Sequence, residues 1–593
     1  MTWKDYRPIP GTSWADNGVP GTRVLRVALV AVDFPDQPFV ITMPKGSDLF
    51  GNPQVDPVKR EQVPQFYADF WGKPGTLNQG HTIHEFWMEQ SRGKVGIPKI
   101  DAYGPYRMPK NLFEYGLNEY NQESACPTGF TCNSRMEPDV DALWTADKGA
   151  DIKKNYDIVL RIYAGYDETS VWQEFGEMKF ASKEDIPAAW GNPDTTKPRW
   201  VTTRYVPWTT WKAGAQQWGL SSVRQGENSG TITHEIAHFA FRTGDNNNNP
   251  YATPYRRVGS GPWDVMDRGS FNGPGGPHRR WVIPANEGAS MPAGFTLRNR
   301  IRYEWLQPSQ VLQLTRSGLA QSGLAVATVT ARAVDPLPGE VAGVTVTLDG
   351  DAPQDRTPKC DMNTDPLCAG ESVFNFYSME VVQRIGYDSF TPDNGVLIAK
   401  NKDRESRSCG YNCFTWVIDA RPEDMKMVDF IKPDGTKVMR TIADSRQLND
   451  ALFHAGTNSG SQYEWTDEPN RLHFYVIDVR KNTAGILSYV VGVRSLDGAG
   501  TQRRGATATI EGTNLVLRHT GTGSDIYRLS ASIEGAGWQV HLPNALAALT
   551  EGATSRMPFH VTQGSGAATL SITAVSESDP SKKIVVTSQL KGR

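Results

Sequence analysis

The stretch Thr233-His234-Glu235-Ile236-Ala237-His238-Phe239-Ala240 constrains this chain more than any other, because it joins a fold requirement to a chemical one. Ile232, Ile236, Ala237, Phe239 and Ala240 predict a helix with a buried face, and histidines buried on such a helix need a polar partner. Positions four apart on a helix lie one above the other, so His234 and His238 can offer imidazole nitrogens to a single metal ion, zinc being the ion this spacing suits. Glu235 stands beside the pair, where it can deprotonate a water that the metal activates. The competing reading is two satisfied core histidines on one helix face. A partial copy lies upstream at His84-Glu85-Phe86-Trp87-Met88, but Met occupies the place of the second ligand, and this segment reads as a structural helix.

Composition bounds the classes of partner. A chain of 593 residues is too long for one core and implies about three or four domains. Charged residues make up 21% and the mean hydropathy is −0.48, values of a protein with sizeable cores and a polar surface. The net charge of −3 offers no basic footprint for nucleic acid or an anionic membrane. No apolar run reaches eighteen residues, so no span is expected; the oligomeric state is not encoded legibly. The first residues are polar, without the apolar core of a signal peptide. The six cysteines nevertheless fall into three close pairs, Cys126 with Cys132, Cys360 with Cys368 and Cys409 with Cys413. Each pair can close a short loop as a disulfide, which points to an oxidising compartment and secretion.

Along the chain, 24–32 and 156–163 are β-branched runs suited to buried strands, with helical stretches near 62–71 and 82–90 between them. A third run, 200–206, precedes the histidine-bearing helix. After about residue 315 the texture changes to alternating strands: Val344, Val346 and Leu348 alternate with polar residues, as do Leu529, Ala531 and Ile533. The small, polar, dibasic stretch 495–505 reads as a solvated linker, with Arg503-Arg504 as an alternative processing site. The expectation is an α+β zincin-type catalytic domain over 1–315, a β-sandwich region over 316–497 and a C-terminal sandwich over 506–593.

Several separated segments carry a family resemblance. They are Val32-Asp33-Phe34-Pro35-Asp36, the run Glu85-Phe86-Trp87-Met88-Glu89-Gln90-Ser91-Arg92-Gly93-Lys94, the histidine helix, and Trp263-Asp264-Val265-Met266-Asp267-Arg268-Gly269-Ser270. Gly386-Tyr387-Asp388, followed by Asp393-Asn394-Gly395-Val396-Leu397-Ile398, adds to them. Over about residues 24–400 the chain resembles the immune inhibitor A family of secreted zinc metallopeptidases, which are metzincin-like zincins. The resemblance implies a protein or peptide substrate, Met266 as the residue of the turn beneath the metal, and bound calcium as in related enzymes. Residues 527–531 and 537–543 resemble an immunoglobulin-like module of secreted bacterial hydrolases, and a passive role is expected for it.

One departure matters. The family pattern is HExxHxxGxxD, in which Gly ends the helix in a left-handed turn and Asp returns to the zinc. Here Phe241 stands in place of that Gly, and the first Gly and Asp are Gly244 and Asp245, a loop shifted by one residue. Gly244 making the turn and Asp245 serving as third ligand is the expectation, with Asp264 as the alternative ligand. Tyr251, Tyr255 and His278 are undistinguished candidates for a second oxyanion donor. Asn246 to Asn249 read as a simple loop, with a calcium rim as the alternative; Asp361, Asn363 and Asp365 begin like a calcium loop, but Pro366 and Ser372 break that pattern. Two further functions stay open: a non-catalytic adhesion or binding protein with a structural zinc, and a zinc aminopeptidase needing a Glu ligand from a second helix.

Overall fold

The computed structural model describes residues 1–164 apart from 17, 48–52, 116–127 and 132–133; the short pieces 183–185, 196, 200–201, 209–210 and 222–224; and 229–592 apart from 248–256, 277–282, 366, 370–373, 405–413, 432–433, 436 and 440–444. The chain divides into two compact units, residues 1–295 with 384–391 and 443–445, and residues 296–383 with 392–442 and 446–593.

The first unit is built on a parallel sheet. Its central strand β1 (Val27–Asp33) is buried at every position, as expected of a continuous apolar run covered on both faces. The chain continues through α1 (Val63–Gly72), α2 (Ile83–Ser91), β2 (Ile100–Arg107), α3 (Met136–Lys148), β3 (Ile158–Tyr163), β4 (Ser222–Arg224) and α4 (Ser229–Phe241). The strand order is β2-β1-β3-β4, all parallel, with Val27 opposite both Ile100 and Ile158 and Arg161 opposite Ser222. The strand expected at 200–206 is not part of this sheet where it is described: Trp200–Val201 pairs with Thr209–Thr210 in a separate ribbon. β4 takes its place before α4.

Polar residues at the end of the central strand and on α2 have specific work. Asp33, 1% exposed at the end of β1, is gripped by two guanidinium forks, from Arg60 at 2.8 and 2.8 Å and Arg107 at 2.8 and 3.0 Å. Two bidentate pairs on one carboxylate offset its loss of water. α2 starts at Thr82, whose Oγ accepts the Glu85 N–H, and ends at Arg92 in the left-handed conformation, φ 56°. Its Gln90 accepts the Phe295 N–H and its Glu89 accepts the Tyr387 N–H, so buried polar residues of α2 tie down two distant loops of the same unit.

The second unit is β-rich. Strands β5 (Val311–Thr315), β6 (Leu324–Thr330), β7 (Gly343–Thr347), β8 (Phe376–Val382), β9 (Gly395–Asn401), β10 (Thr415–Val417), β11 (Glu464–Asp467), β12 (Leu472–Lys481) and β13 (Leu487–Ser495) form two sheets, ordered β10-β9-β8-β7-β5 and β6-β13-β12-β11. The last module contains β14 (Ala506–Glu511), β15 (Asn514–His519), β16 (Asp525–Glu534), β17 (Leu546–Leu549), β18 (Thr554–Pro558), β19 (Ala567–Ser576) and β20 (Lys583–Lys591), in sheets β14-β15-β18 and β17-β16-β19-β20. β19 alternates between buried and less buried residues along its length, the period-2 pattern of a sheet with one covered face. Leu515, Leu517, Leu529, Leu570 and Ile572 form the centre of that module's core.

The Cys360–Cys368 disulfide is formed, with Cα atoms 5.7 Å apart, and no described cysteine is free. Cys126, Cys132, Cys409 and Cys413 lie outside the described residues. Among the described residues no helix is long and apolar enough to cross a membrane.

Candidate metal centre

α4 brings the expected residues together. Gly230 sets where the helix begins: a Cβ at this position would collide with the Ser270 carbonyl oxygen, and its N–H donates to Ala289 O at 2.9 Å. From that anchored start the helix runs through His234, Glu235 and His238, with His234 and Glu235 each 7% exposed.

The orientation of each imidazole is fixed by a backbone carbonyl. His234 Nδ1 lies 2.8 Å from Val265 O, and His238 Nδ1 is paired with Thr243 O. A carbonyl oxygen can only accept, so Nδ1 carries the proton in both rings and Nε2 is left as a lone pair. Those two Nε2 atoms are 3.0 Å apart, and Asp245 Oδ1 lies 2.8 Å from the first and 3.4 Å from the second. Three acceptors therefore converge with no donor of their own. A cation at the convergence resolves this, and two imidazoles oriented by outer carbonyls with one carboxylate are a donor set that fits zinc. Glu235 joins the group: its carboxylate and the two histidine nitrogens lie within 4.8 Å of one another.

Protons occupy this role when no ion is bound. Burial pulls His238 down, but the hydrogen bond its ring donates to the Asp245 carboxylate and the charge of Glu235 outweigh it and lift the ring to about 9. His234 is raised against burial by the same Asp245 carboxylate, and Asp245 is held well below the ordinary carboxylate range by both rings. The site favours positive charge whichever form that charge takes.

The turn after α4 differs from the expectation. Gly244 does not adopt the left-handed conformation; Arg242 does, with φ 51°, directly after the helix ends at Phe241. The turn comes two residues earlier than expected, and the extra length lets Thr243 reach His238 and Asp245 reach His234. Asn246 then fastens the loop, its N–H donating to Met266 O at 2.8 Å.

Met266 is fully buried in the 263–267 turn that supplies the Val265 carbonyl. Asp264, the alternative ligand, is turned into that segment: Oδ1 accepts the Met266 N–H at 3.1 Å and Oδ2 lies 3.3 Å from Ser260 Oγ. Asp267 gathers the loop further, accepting Ser260 N and Gly261 N at 2.7 Å each. His84 of the upstream partial motif accepts Ile97 N–H through Nδ1 at 3.0 Å and is away from this group. Asp361 and Asp365 cap their own turns, accepting Asn363 N and Leu367 N. Asn248, Asn249, Tyr251, Tyr255 and His278 lie outside the described residues. The Val265 and Thr243 carbonyls were not legible in sequence, because any residue type supplies one.

Comparison with known proteins bears on this geometry. A protein of Arthroderma benhamiae named "Putative secreted metallopeptidase" is 44% identical over 632 aligned positions, covering 98% of this chain and 90% of that one. The chain belongs to this family of secreted metallopeptidases. Two family descriptions match parts of the metallopeptidase, a middle domain over 302–496 and a peptidase M6-like domain over 505–592. The second match falls on the C-terminal β module and not on α4. Among solved structures, the Clostridium perfringens spore cortex lytic enzyme SleM shares 12% identity over 24% of this chain and 46% of that one, at a TM-score of 0.11, and carries no argument.

Proposed function

We propose that this metallopeptidase is a zinc endopeptidase of the zincin type, close to the immune inhibitor A family, and that it cleaves protein substrates outside the cell. The observation that carries the reading is the convergence of His234 Nε2, His238 Nε2 and Asp245 Oδ1 beside the buried Glu235 carboxylate. His234, His238 and Asp245 would hold the ion. Bound there, zinc supplies Lewis-acid polarisation of the scissile carbonyl and of the attacking water.

The protein's own residues do the rest. Glu235 takes the proton of the attacking water and delivers it to the leaving amine, acting as base and then as acid. The Val265 and Thr243 carbonyls keep both Nδ1 atoms protonated, so the rings cannot turn their donor side toward the metal position. Met266 fills the floor of the turn that presents Val265. No calcium site is assigned.

The test is casein hydrolysis by the purified protein, run beside Glu235→Ala and a chelator-treated sample, with bound zinc measured in each. The expected result is hydrolysis by the wild type, none after chelation, and in Glu235→Ala retained zinc with turnover lower by at least about a thousandfold. Full activity in that variant removes Glu235 from the mechanism. Bound zinc without cleavage of casein or a peptide library would favour the structural-zinc binding protein instead.

A further inference from the structure

Asp245 is the least secured of the three ligands. Its side chain is 43% exposed, against 9% for His234 and 23% for His238. Beyond the two histidines its one other partner among the described residues is Asn247 Nδ2, at 3.3 Å. A carboxylate on such a loop needs its position imposed from the backbone. That backbone leaves α4 at Phe241.

The Phe241 ring is fixed by partners from two other parts of the same unit. It stacks on Trp87 of α2 with ring centres 5.6 Å apart and planes 16° from parallel. The Arg23 guanidinium lies over it, 5.1 Å from its centre, and Arg23 Nη2 also donates to the Ala240 carbonyl at 3.3 Å. One arginine thus satisfies a terminal carbonyl of α4 and holds the ring beside it, where a cation also complements the helix C-terminus. Trp87 is fully buried on α2. The main-chain segment beginning at Arg23 is itself held, Arg23 pairing with Val95 in parallel register.

Every ligand-bearing contact of the loop lies immediately after this anchor. Arg242 turns left-handed, the Thr243 carbonyl meets His238 Nδ1, Asp245 meets both Nε2 atoms, and the Asn246 N–H reaches Met266 O. If the last turn of α4 frays, all four contacts lose their reference point together.

We infer that Phe241, clamped by Trp87 and Arg23, is a positioning residue for the metal centre: it fixes where α4 ends and so carries Asp245 back to the histidines. It takes over by packing the role that a helix-ending glycine fills by conformation, and it explains how a loop with Phe in that place closes on the same point. The inference rests on the zinc reading above.

The experiment uses the full chain and compares wild type, Phe241→Ala, Phe241→Tyr and Arg23→Ala. Two quantities are read: the zinc dissociation constant, by competition with a chromogenic chelator, and the melting midpoints of zinc-loaded and zinc-stripped protein. Phe241→Ala is expected to weaken zinc about 10- to 100-fold, the range for lost outer-shell support, and to lower the loaded midpoint more than the stripped one. Phe241→Tyr, which keeps the stacked ring, is expected to stay within about threefold of wild type. Arg23→Ala removes an exposed side chain and leaves the aromatic pair; it is expected to weaken zinc about three- to tenfold, and it decides the matter should Phe241→Ala not fold. Unchanged zinc affinity in Phe241→Ala, or in Arg23→Ala if that variant alone folds, overturns the inference, as does an equal drop in both midpoints. A wild type that takes up no zinc overturns the proposed function itself, whereas zinc bound equally by wild type and variants overturns only the positioning role.

Discussion

At the scale of single residues, the centre is a competition between protons and a metal for the same lone pairs. With no ion, His238 is lifted to about 9, so near neutral pH a proton sits among the proposed ligands and would have to leave for zinc to enter. Zinc uptake by stripped protein at pH 7.5 should release about one proton, measured with a pH-stat, and zinc affinity should rise steadily between pH 6 and 9. Stability of the stripped protein should follow the opposite course. A histidine raised above its unfolded value contributes fully below about pH 6.5, and the contribution is lost as pH rises through about 9. The melting midpoint of stripped protein should therefore fall between pH 7 and 10 while the loaded protein changes little. A flat profile for both forms would remove the charged pair from the account.

At the scale of elements, the position of α4 is decided by what meets its two ends. At the start, Gly230 allows contact with the Ser270 carbonyl, and Ser229 Oγ donates to Ser290 O at 2.7 Å. Gly230→Ala must push α4 away from the 268–271 turn. It is expected to cost about 1–3 kcal/mol in urea unfolding and to weaken zinc, because the same turn region presents Val265 to His234. Unchanged stability would mean that the helix start yields at little cost. The elements themselves were readable where local pattern decides them. β1, β3, α1 and α2 lie close to their expected stretches, since a continuous apolar run or a helical period needs no knowledge of its partners. Sequence places the left-handed turn at Gly244 because glycine is the residue type that favours it, whereas Arg242 adopts it, with contacts on either side.

At the scale of the whole molecule, the expectation that 495–505 is a solvated linker, with a processing site at Arg503-Arg504 as the alternative, meets a buried arginine. Arg504 is 4% exposed and donates to Ser524 O and to Ser322 O, so within the second unit it ties the last module to the preceding one. The same two modules share an ion network. Arg528 Nη2 reaches Glu464 Oε2 at 2.6 Å, Arg528 Nε reaches Glu577 Oε1 at 2.7 Å, Tyr475 donates to Glu577 at 2.7 Å, and His473 Nε2 lies 3.1 Å from Glu464. Burial raises Glu464, but His473 and Arg528 outweigh it and hold it at about 2. A depressed carboxylate contributes above its unfolded value near 4.3, and the contribution fades as pH falls through about 2. Arg528→Ala should cost about 1–2 kcal/mol, discounted because the side chain is about a third exposed, and should quicken proteolysis between the modules. Unaltered cleavage kinetics would leave the docking to the apolar contact of Ile526 with Tyr475, Ile477 and Val490.

The sequence by itself determined the chemistry on offer: His234, Glu235 and His238 at helical spacing, Asp245 within reach, Met266 downstream, and a change from mixed to β texture after about residue 315, just past the middle of the chain. Side-chain identity and period are local properties, and they survive without a fold. Only the tertiary structure decided which lone pairs face one another. Whether Asp245 or Asp264 approached the histidines, which carbonyls fixed the imidazole tautomers, and that Phe241 packs on Trp87 all depend on contacts between residues far apart in the chain or on the path of a loop. Backbone carbonyls are identical in every residue, and a stacked ring has no signature of its own in a linear string.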